Sequence, residues 1–368
     1  MNEKLREIFE QSAKTLDTYA AAHRGKDSVS YHAYIRIARQ ARVKALEARK
    51  IIYLDTMAWK CLADYKQGKR ERLTAANVAF ALAMEDAVKS KKFVFPIGLT
   101  TFFELDSMTD PKTHESLSNF VDELCLGFCF APFSEVLLDE MQRVLSSKMD
   151  IEVDPLEQLV SPVEIVGIPE IEFPPDLFGG DEVAYKKAFY DVVCQLPFST
   201  QLLIAQESPD KKWNNKYQVE ELNNNKILHQ DEIVNLNTGI FVELKAIVEG
   251  CLLELGQHVD AGQIAMLTGM IMLYWKERPT SKSISSMRVL ASLHGLFRFD
   301  RNRKYHSGDM ADFMAAASAL PVASAMFTDR KLAIVLQDKS INLKQFTQCD
   351  VVHGFEAMAQ YLHTSLAV

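Results

Sequence analysis

The sequence lacks the signatures of several large protein classes. It contains no GxxxxGK[ST], no GxGxxG and no GxSxG, so P-loop, dinucleotide-binding and serine-hydrolase functions have no supporting motif. Its six cysteines are dispersed without a CxxC pair, which argues against a zinc ribbon and favours reduced, buried thiols. The most apolar stretch, at 265–275, is too short to span a bilayer and predicts a buried helix. Because MNEKLREIFEQSAK is not a signal peptide, we expect a cytoplasmic protein without a membrane partner.

Composition and length are those of a globular protein with more than one structural unit. The 368 residues are 48% hydrophobic and 24% charged. This length exceeds one ordinary core, so we expect a compact domain with a second lobe or a large insertion. The net charge of −8 argues against a general nucleic-acid coat, but it leaves room for a local basic patch.

Alternating apolar stretches and helical patterns predict a parallel α/β sheet that is interrupted in the middle of the chain. IIYL, FVFPI, ASAMFT and CDVVH have the pattern of short buried strands. Thr100 or Thr101 is the expected N-cap of the helix after FVFPI. Between the strand pairs, 111–148 and 181–276 are expected to be mainly helical. An acidic, proline-rich loop at 149–180 and an exposed turn at 214–226 are expected to interrupt them.

Four acidic residues lie close to the predicted strand ends. Asp55 follows IIYL, Glu104 follows FVFPIGLTTFF, Asp312 opens the small-residue helix near DFMAAASAL, and Asp329 follows ASAMFT. Each acid taken alone is more economically explained as a helix cap or as a partner of the helix dipole. Together they predict one crevice at the carboxyl edge of a parallel sheet. Asp309 lies three residues before Asp312 and so shares its helix face.

Clustered carboxylates repel one another unless a cation neutralises them, so this pattern predicts a shared metal ion. The expected ion is Mg²⁺ or Mn²⁺, because all candidate ligands are oxygen atoms and no His or Cys accompanies them. The number of ions, one or two, stays open.

The four motifs YLDT, TTFFEL, DMADFMAAASAL and FTDRKLA resemble, in this order, those of the PIN-domain nuclease family. The resemblance covers roughly residues 50–130 and 285–363. It implies a three-layer α/β/α domain with a central parallel sheet and metal-dependent hydrolysis of phosphodiester bonds, usually in RNA. It implies in-line attack by water that leaves a 5′-phosphate and a 3′-hydroxyl.

The resemblance also assigns roles to individual residues. Asp55, Glu104, Asp312 and Asp329 would be the catalytic, metal-binding acids, with Asp309 a fifth acid or a partner of the ligands. Thr56 and Thr328 would hydrogen-bond the acids or a water on the metal.

This chain departs from the family pattern in two places. Met57 stands where many family members have Asn, and the interval between the second and third motifs is far longer than in a minimal member. We therefore expect an N-terminal helical segment (1–49), a first part of the PIN-like domain (50–130), a mainly helical insertion (131–284) and a second part (285–368).

Basic residues near the acids are candidates for contact with a phosphate backbone. The candidates are Arg298, Arg301, Arg303, Lys304, His306, Arg330 and Lys331. Tyr305 or Phe299 is a candidate for stacking on a base. A weaker basic group follows the first motif at Lys60, Lys66, Lys69 and Arg70. The basic helix at 31–50 is interpreted as a solvated face, with a polyphosphate-facing helix as the alternative.

Several functional alternatives stay open. RNA is favoured over DNA as the substrate, but nothing in the sequence excludes DNA, including flap cleavage. A toxin or defence effector held by an inhibitory or regulatory protein partner rests on family analogy alone, and self-association is also open. A non-catalytic binding protein on a degenerate nuclease fold is the main alternative from another class. A haloacid-dehalogenase phosphatase ranks low, because Met57 occupies the position of its second Asp.

Overall fold

The computed structural model describes residues 3–26, 28–46, 48–107, 111–167, 172, 181–207, 216–228 and 230–367. Its strands are β1 (Lys50–Leu54), β2 (Phe93–Val94), β3 (Cys129–Phe130), β4 (Leu159–Val160), β5 (Ala325–Thr328) and β6 (Asp350–His353). Its α-helices are α1 (Glu3–His23), α2 (Tyr31–Val43), α3 (Thr56–Lys66), α4 (Ala75–Ser90), α5 (Leu99–Asp106), α6 (Pro111–Cys125), α7 (Phe133–Leu145), α8 (Glu182–Val193), α9 (Phe198–Glu207), α10 (Lys216–Leu228), α11 (Leu236–Glu254), α12 (Ala261–Glu277), α13 (Ser285–Phe299), α14 (Asp309–Ala319), α15 (Arg330–Leu336), α16 (Lys344–Thr347) and α17 (Phe355–Ala367). Short 3₁₀ turns lie at Lys44–Leu46, Arg70–Arg72, Pro155–Gln158, Pro162–Val166 and Gln230–Glu232.

The central sheet is parallel and joins the two ends of the chain. Its strand order is β2-β1-β5-β6, and β1 pairs with β5 in the register Ile52 to Ala325 and Leu54 to Phe327. A separate two-stranded antiparallel sheet pairs β3 with β4. The prediction of an α/β protein with a parallel sheet is confirmed.

Both faces of the central sheet are buried, because successive side chains of a strand point to opposite faces. On β1, Ile51 and Tyr53 enter one hydrophobic core, while Ile52 and Leu54 enter the other. The first core contains apolar side chains of α7, α11, α12, α13 and α14, and the second contains those of α3, α4, α6 and α17. The sheet therefore lies between two helical layers.

The middle region is packed into the same cores. Helix α7 contacts α11, α13 and α14, and α9 contacts α5 and α6. Helices α11 and α13 approach closely at Gly239 and Gly295. A methyl group added at Gly295 would lie 2.7 Å from the backbone of Ile240. The region 131–284 thus builds a large part of the helical layer that covers the α13–α14 face.

Helix α2 is fixed by buried ion pairs, so the interpretation of its basic side as a solvated face is wrong for part of it. Arg39 Nη1 lies 2.6 Å from Glu135 Oε1, and Arg39 Nε lies 2.9 Å from Glu164 Oε1. Arg42 lies 3.5 Å from the second oxygen of Glu164, a fully buried residue. Charge in this helix serves packing, because a buried guanidinium needs carboxylate partners.

Several local predictions are wrong. The exposed turn expected at 214–226 is largely replaced by helix α10, which begins at Lys216, while 214–215 lie outside the described residues. Gly98, not Thr100 or Thr101, is the N-cap of α5. Strands β3 and β4 lie where a helical region and a loop were expected, because their pairing partner is distant in sequence. Within the acidic loop, 168–171 and 173–180 lie outside the described residues.

The cysteines and the most apolar segment differ in how deeply they are buried. All six cysteines are free, and five of them are buried as expected, whereas Cys194 is only partly buried. The apolar segment at 265–275 is helical within α12, but it is buried on one side only, and Met266, Met270 and Leu273 are exposed. Among the described residues, no helix combines the length and apolar character needed to cross a membrane.

Candidate metal centre at the sheet edge

Asp55 and Asp329 lie at the carboxyl ends of neighbouring parallel strands. Strand β1 is followed by β2 on one side, whereas β5 is followed by β6 on the other, so the strand order changes direction between β1 and β5. In open α/β sheets such a change leaves a crevice outside the strand ends. Each acid also caps the helix that follows its strand, Asp55 for α3 and Asp329 for α15. Asp55 and Asp329 therefore each cap a helix and also lie at the same edge of the sheet.

The carboxylate of Asp55 is oriented by two hydrogen bonds. Its Oδ1 accepts a hydrogen bond from the backbone N–H of Thr56 at 2.6 Å, and its Oδ2 accepts one from the Thr328 hydroxyl at 2.9 Å. Burial raises the pKa of Asp55 above its usual value, although these two hydrogen bonds act in the opposite direction and Asp329 adds a repelling charge. Thr328 contacts Asp55 through its side chain, whereas Thr56 contacts it only through its backbone N–H.

The charges of the other four acids all act on Asp312. It lies in the first turn of α14, where its backbone N–H donates to the Gly308 carbonyl at 2.9 Å. Burial raises the pKa of Asp312 to about 8, and the charges of four other acids add to this shift: Asp55, Asp329, Asp309 and Glu104. The other four predicted acids are therefore all close enough to Asp312 to repel its charge at this edge of the sheet.

Asp309 is the most enclosed of the five acids, and the protein already neutralises it. Its side chain is only 4% exposed, and its Oδ1 lies 2.5 Å from Lys331 Nζ. Its Oδ2 accepts a hydrogen bond from the backbone N–H of His306 at 2.7 Å. With both oxygens engaged, Asp309 is better placed to support its neighbours than to bind an ion directly. Lys331, predicted to contact nucleic acid, pairs with Asp309 in the acidic cluster, and its side chain is 53% exposed.

Glu104 reaches the cluster from α5 and is half-buried. Its neighbourhood includes two residues that sequence reasoning missed, Tyr53 and Thr101. The Tyr53 hydroxyl lies 3.2 Å from Thr101 Oγ1, and both residues are buried. Burial raises the pKa of Tyr53, and the charges of Asp55 and Glu104 raise it further. The available signal was the position of Tyr53 two residues before Asp55.

The candidate ligands are chemically suited to a hard divalent cation, because every one of them is a carboxylate. Burying carboxylates together is costly, and a cation would offset their repulsion at Asp312. In the described part of the chain, no three Asp, Glu, His or Cys side chains are arranged as ligands of one ion. The acids therefore lie near one another, but their side chains do not surround a single ion position.

Three of the predicted basic residues have carboxylate partners. Arg298 is buried in an ion pair with Glu243 on α11. Arg303 is partly buried between Asp300, at 3.1 Å, and Asp338, at 3.2 Å. Lys331 pairs with Asp309, as described above. These contacts join α13 to α11 and the segment before α14 to the turn after α15.

The remaining basic candidates are exposed. They are Arg301, Lys304, His306 and Arg330. Arg301 approaches Asp231 only at 4.0 Å, and its side chain is 68% exposed. Phe299 is also partly exposed, but Tyr305 is buried against His294 and Phe297. The prediction that Tyr305 stacks on a base is therefore wrong for this structure, because its ring belongs to the core.

The comparisons with known proteins gave no match: no protein-family model, no curated protein and no solved structure is similar to this chain.

Proposed function

We propose that this protein is a metal-dependent nuclease that hydrolyses RNA at the sheet edge carrying Asp55, Asp312 and Asp329. The observation that carries this proposal is the convergence of five acids from four separate segments at one edge of the sheet. Burial and the charges of the other four raise the pKa of Asp312 to about 8. Such repulsion is unfavourable for folding unless the site serves a positively charged ligand.

The proposed ligands are Asp55, Glu104, Asp312 and Asp329, with Mg²⁺ or Mn²⁺ as the ion. When bound, the ion supplies Lewis acidity, which lowers the pKa of water and offsets charge on the phosphate. Thr328 and the Thr56 backbone orient Asp55, and the Leu332 backbone N–H holds Asp329 Oδ1 at 2.8 Å. Lys331 neutralises Asp309 and so limits the negative charge that an approaching phosphate meets.

The substrate side of the proposal rests on the exposed cations beside the acids. An acidic crevice repels a phosphate backbone, so binding requires flanking positive charge. Arg330 follows Asp329 directly, and Arg301 and Lys304 precede α14; all three side chains are exposed. Single-stranded RNA is the proposed substrate, with DNA as the alternative that the experiment decides.

The test is cleavage of end-labelled single-stranded RNA and matched DNA in Mn²⁺, Mg²⁺ or EDTA. Wild type is compared with Asp55→Asn and with Asp350→Asn, a matched control. Asp350 is a carboxylate at the opposite end of the sheet, where it pairs with Lys344 at 2.7 Å. We expect cutting that needs the metal, persists in Asp350→Asn and is lost in Asp55→Asn.

Two results would oppose the proposal. Equal cleavage by wild type and Asp55→Asn would show that the activity does not come from this site. Folded wild-type protein that neither cuts nucleic acid nor binds Mn²⁺ in calorimetry would favour a non-catalytic binding protein. Preferential cutting of DNA would keep the site but change the substrate class.

A further inference from the structure

Helix α12 lies at the surface of the described structure, and its outward face is apolar. Met266, Met270 and Leu273 are 60%, 47% and 54% exposed. Their spacing of four and three residues places them in one row along the helix. The buried side chains of α12, such as Ile264 and Ile271, belong to the first hydrophobic core on the other side of the helix. The exposed row is therefore left over after the packing of α12 within the chain.

The outward face of α12 also lacks charge along most of its length. No residue from Ala261 to Trp275 is charged, although the outer side of a surface helix normally carries charged groups. Beside the apolar row, a carbon added at Gly269 would meet nothing within 4 Å, so another backbone can approach closely there. Neighbouring exposed apolar side chains without charge are typical of a surface that contacts another molecule.

The charges at the two ends of α12 favour a second copy of this chain as that molecule. Lys276 lies eight residues after Thr268 and Asp260 eight residues before it, and both charged residues are exposed. Two copies of α12 that run antiparallel about Thr268 therefore bring Lys276 of each copy to the level of Asp260 of the other. Glu277 then lies beside the first turn of the other helix, where free N–H groups carry positive partial charge. A parallel pair would instead place like charges and like helix ends together.

We propose that two copies of this chain associate through the outward face of α12, antiparallel and related by a twofold axis at the level of Thr268. Met266 of each copy then packs against Met270 of the other, because the two positions are equally far from Thr268. Leu273 of each copy covers Gln263 of the other for the same reason. The face is small, so association is weak and depends on protein concentration. This dimer does not depend on the proposed nuclease centre.

A lipid surface suits this face less well than a second copy does. Helices that lie on membranes are rich in Lys and Arg along their polar side. Helix α12 contains one basic residue, Lys276. The face therefore offers no cluster of positive charge for anionic lipid.

The first experiment is sedimentation velocity of the full-length protein between about 1 and 100 µM, because the population of a weak dimer follows mass action. We expect the average mass to rise from that of one chain toward that of two. Met270→Glu should weaken association at least about tenfold, since a carboxylate would be buried against Met266 of the other copy. The matched control is Leu82→Glu on α4, because Leu82 is 48% exposed and lies outside this face. Thermal unfolding checks that both variants are folded.

The second experiment tests the antiparallel arrangement by disulfide cross-linking of Leu273→Cys and Gln263→Cys. In the proposed dimer the two copies of position 273 lie about 15 Å apart along the helix axis, whereas position 273 of one copy is level with position 263 of the other. Under mild oxidation, each variant alone should stay monomeric in denaturing electrophoresis, and an equimolar mixture should give a linked dimer. Wild type measures the background from the six cysteines of the chain.

Three results would overturn the proposal. One is a wild-type protein that stays monomeric at every concentration; if it then floated with phosphatidylcholine vesicles and Met270→Glu did not, the face would be assigned to a lipid surface. Another is a dimer that Met270→Glu leaves unchanged, which would place the contact elsewhere. The third is cross-linking of Leu273→Cys with itself, which would require a different arrangement of the two helices.

Discussion

Thr328 donates its hydroxyl hydrogen to Asp55 at 2.9 Å across 273 residues of sequence. The bond joins the ends of β1 and β5, the two central strands, and it fixes the carboxylate that begins the acidic cluster. Because the threonine side chain is fully buried, no water can take over its role.

Thr328→Val is predicted to lower the metal affinity of the acidic centre without unfolding the protein. Valine fills the same volume but donates no hydrogen bond, so Asp55 loses one of its orienting contacts. We expect Mn²⁺ affinity, measured by calorimetry, to fall about tenfold. Thr328→Ser keeps the hydroxyl and should retain most of the affinity. Equal affinity in the valine variant and wild type would refute the orienting role.

Asp312→Asn is predicted to change how stability depends on pH in the absence of metal. The pKa of Asp312 is about 8 in the folded protein and near its usual value of about 4 when unfolded. Between these values the folded state binds more protons, so the wild-type free energy of unfolding falls as pH rises toward 8.

The asparagine variant has no proton to lose at this position, so its free energy of unfolding should vary less with pH. At pH 8 in EDTA we expect it to be more stable than wild type by about 1–3 kcal/mol. Urea unfolding at pH 5, 6.5 and 8 measures this difference. A variant that is less stable than wild type at pH 8 would contradict the burial of a repelled charge.

Exposed and paired arginines are predicted to behave differently in RNA binding. In the Asp55→Asn background, Arg330→Ala should weaken single-stranded RNA binding and lower the slope against log salt by about 1. Arg303→Ala should affect thermal stability more than binding, because Arg303 joins Asp300 to Asp338. Filter binding at several salt concentrations distinguishes them, and an unchanged slope in Arg330→Ala would exclude this surface.

Gly295→Ala is predicted to destabilise the protein although alanine favours helices. The new methyl group would lie 2.7 Å from Ile240 backbone atoms on α11, so the two helices would have to separate. We expect a loss of about 1–3 kcal/mol in urea unfolding.

The control for this change is Gly269→Ala in α12, where nothing lies within 4 Å of the added carbon. There the helix preference of alanine acts alone, and stability should rise by about 0.5–1 kcal/mol. Similar changes in both variants would mean that the contact between α11 and α13 does not limit stability.

The sheet was predictable from sequence because its strands are short, apolar and followed by helices. IIYL covers β1 except for Lys50, and ASAMFT contains β5. Each stretch is followed by an acid that caps the next helix. The strands β3 and β4 were not predictable in this way. They are two residues long and pair with each other across about 30 residues of sequence, and Cys129 of β3 also bridges to Ile97, so tertiary contacts decide their conformation. Helix α10 was missed because NNKYQVEELNNNK has little apolar periodicity.

The sequence positions of the acids, close to strand ends, indicated that they would lie near one another. The sequence did not indicate which basic side chains would be exposed and which would be paired. Arg298 and Arg301 look alike in the run RFDRNRKYH, yet one is buried against Glu243 and the other is exposed. Which arginine finds a partner depends on α11, a helix distant in sequence, so no local pattern reveals it. The same holds for Lys331 on α15, whose partner Asp309 belongs to another helix, α14.

The strand order has a consequence for the protein as it is being synthesised. β5 lies between β1 and β6, so until residues 325–328 emerge, β1 has an unpaired edge and an uncovered strand end. An incomplete chain on the ribosome thus carries Asp55 and Glu104 without Asp312 and Asp329. Fragments from early termination would therefore lack two of the acids and leave the edge of β1 open to pairing with other chains.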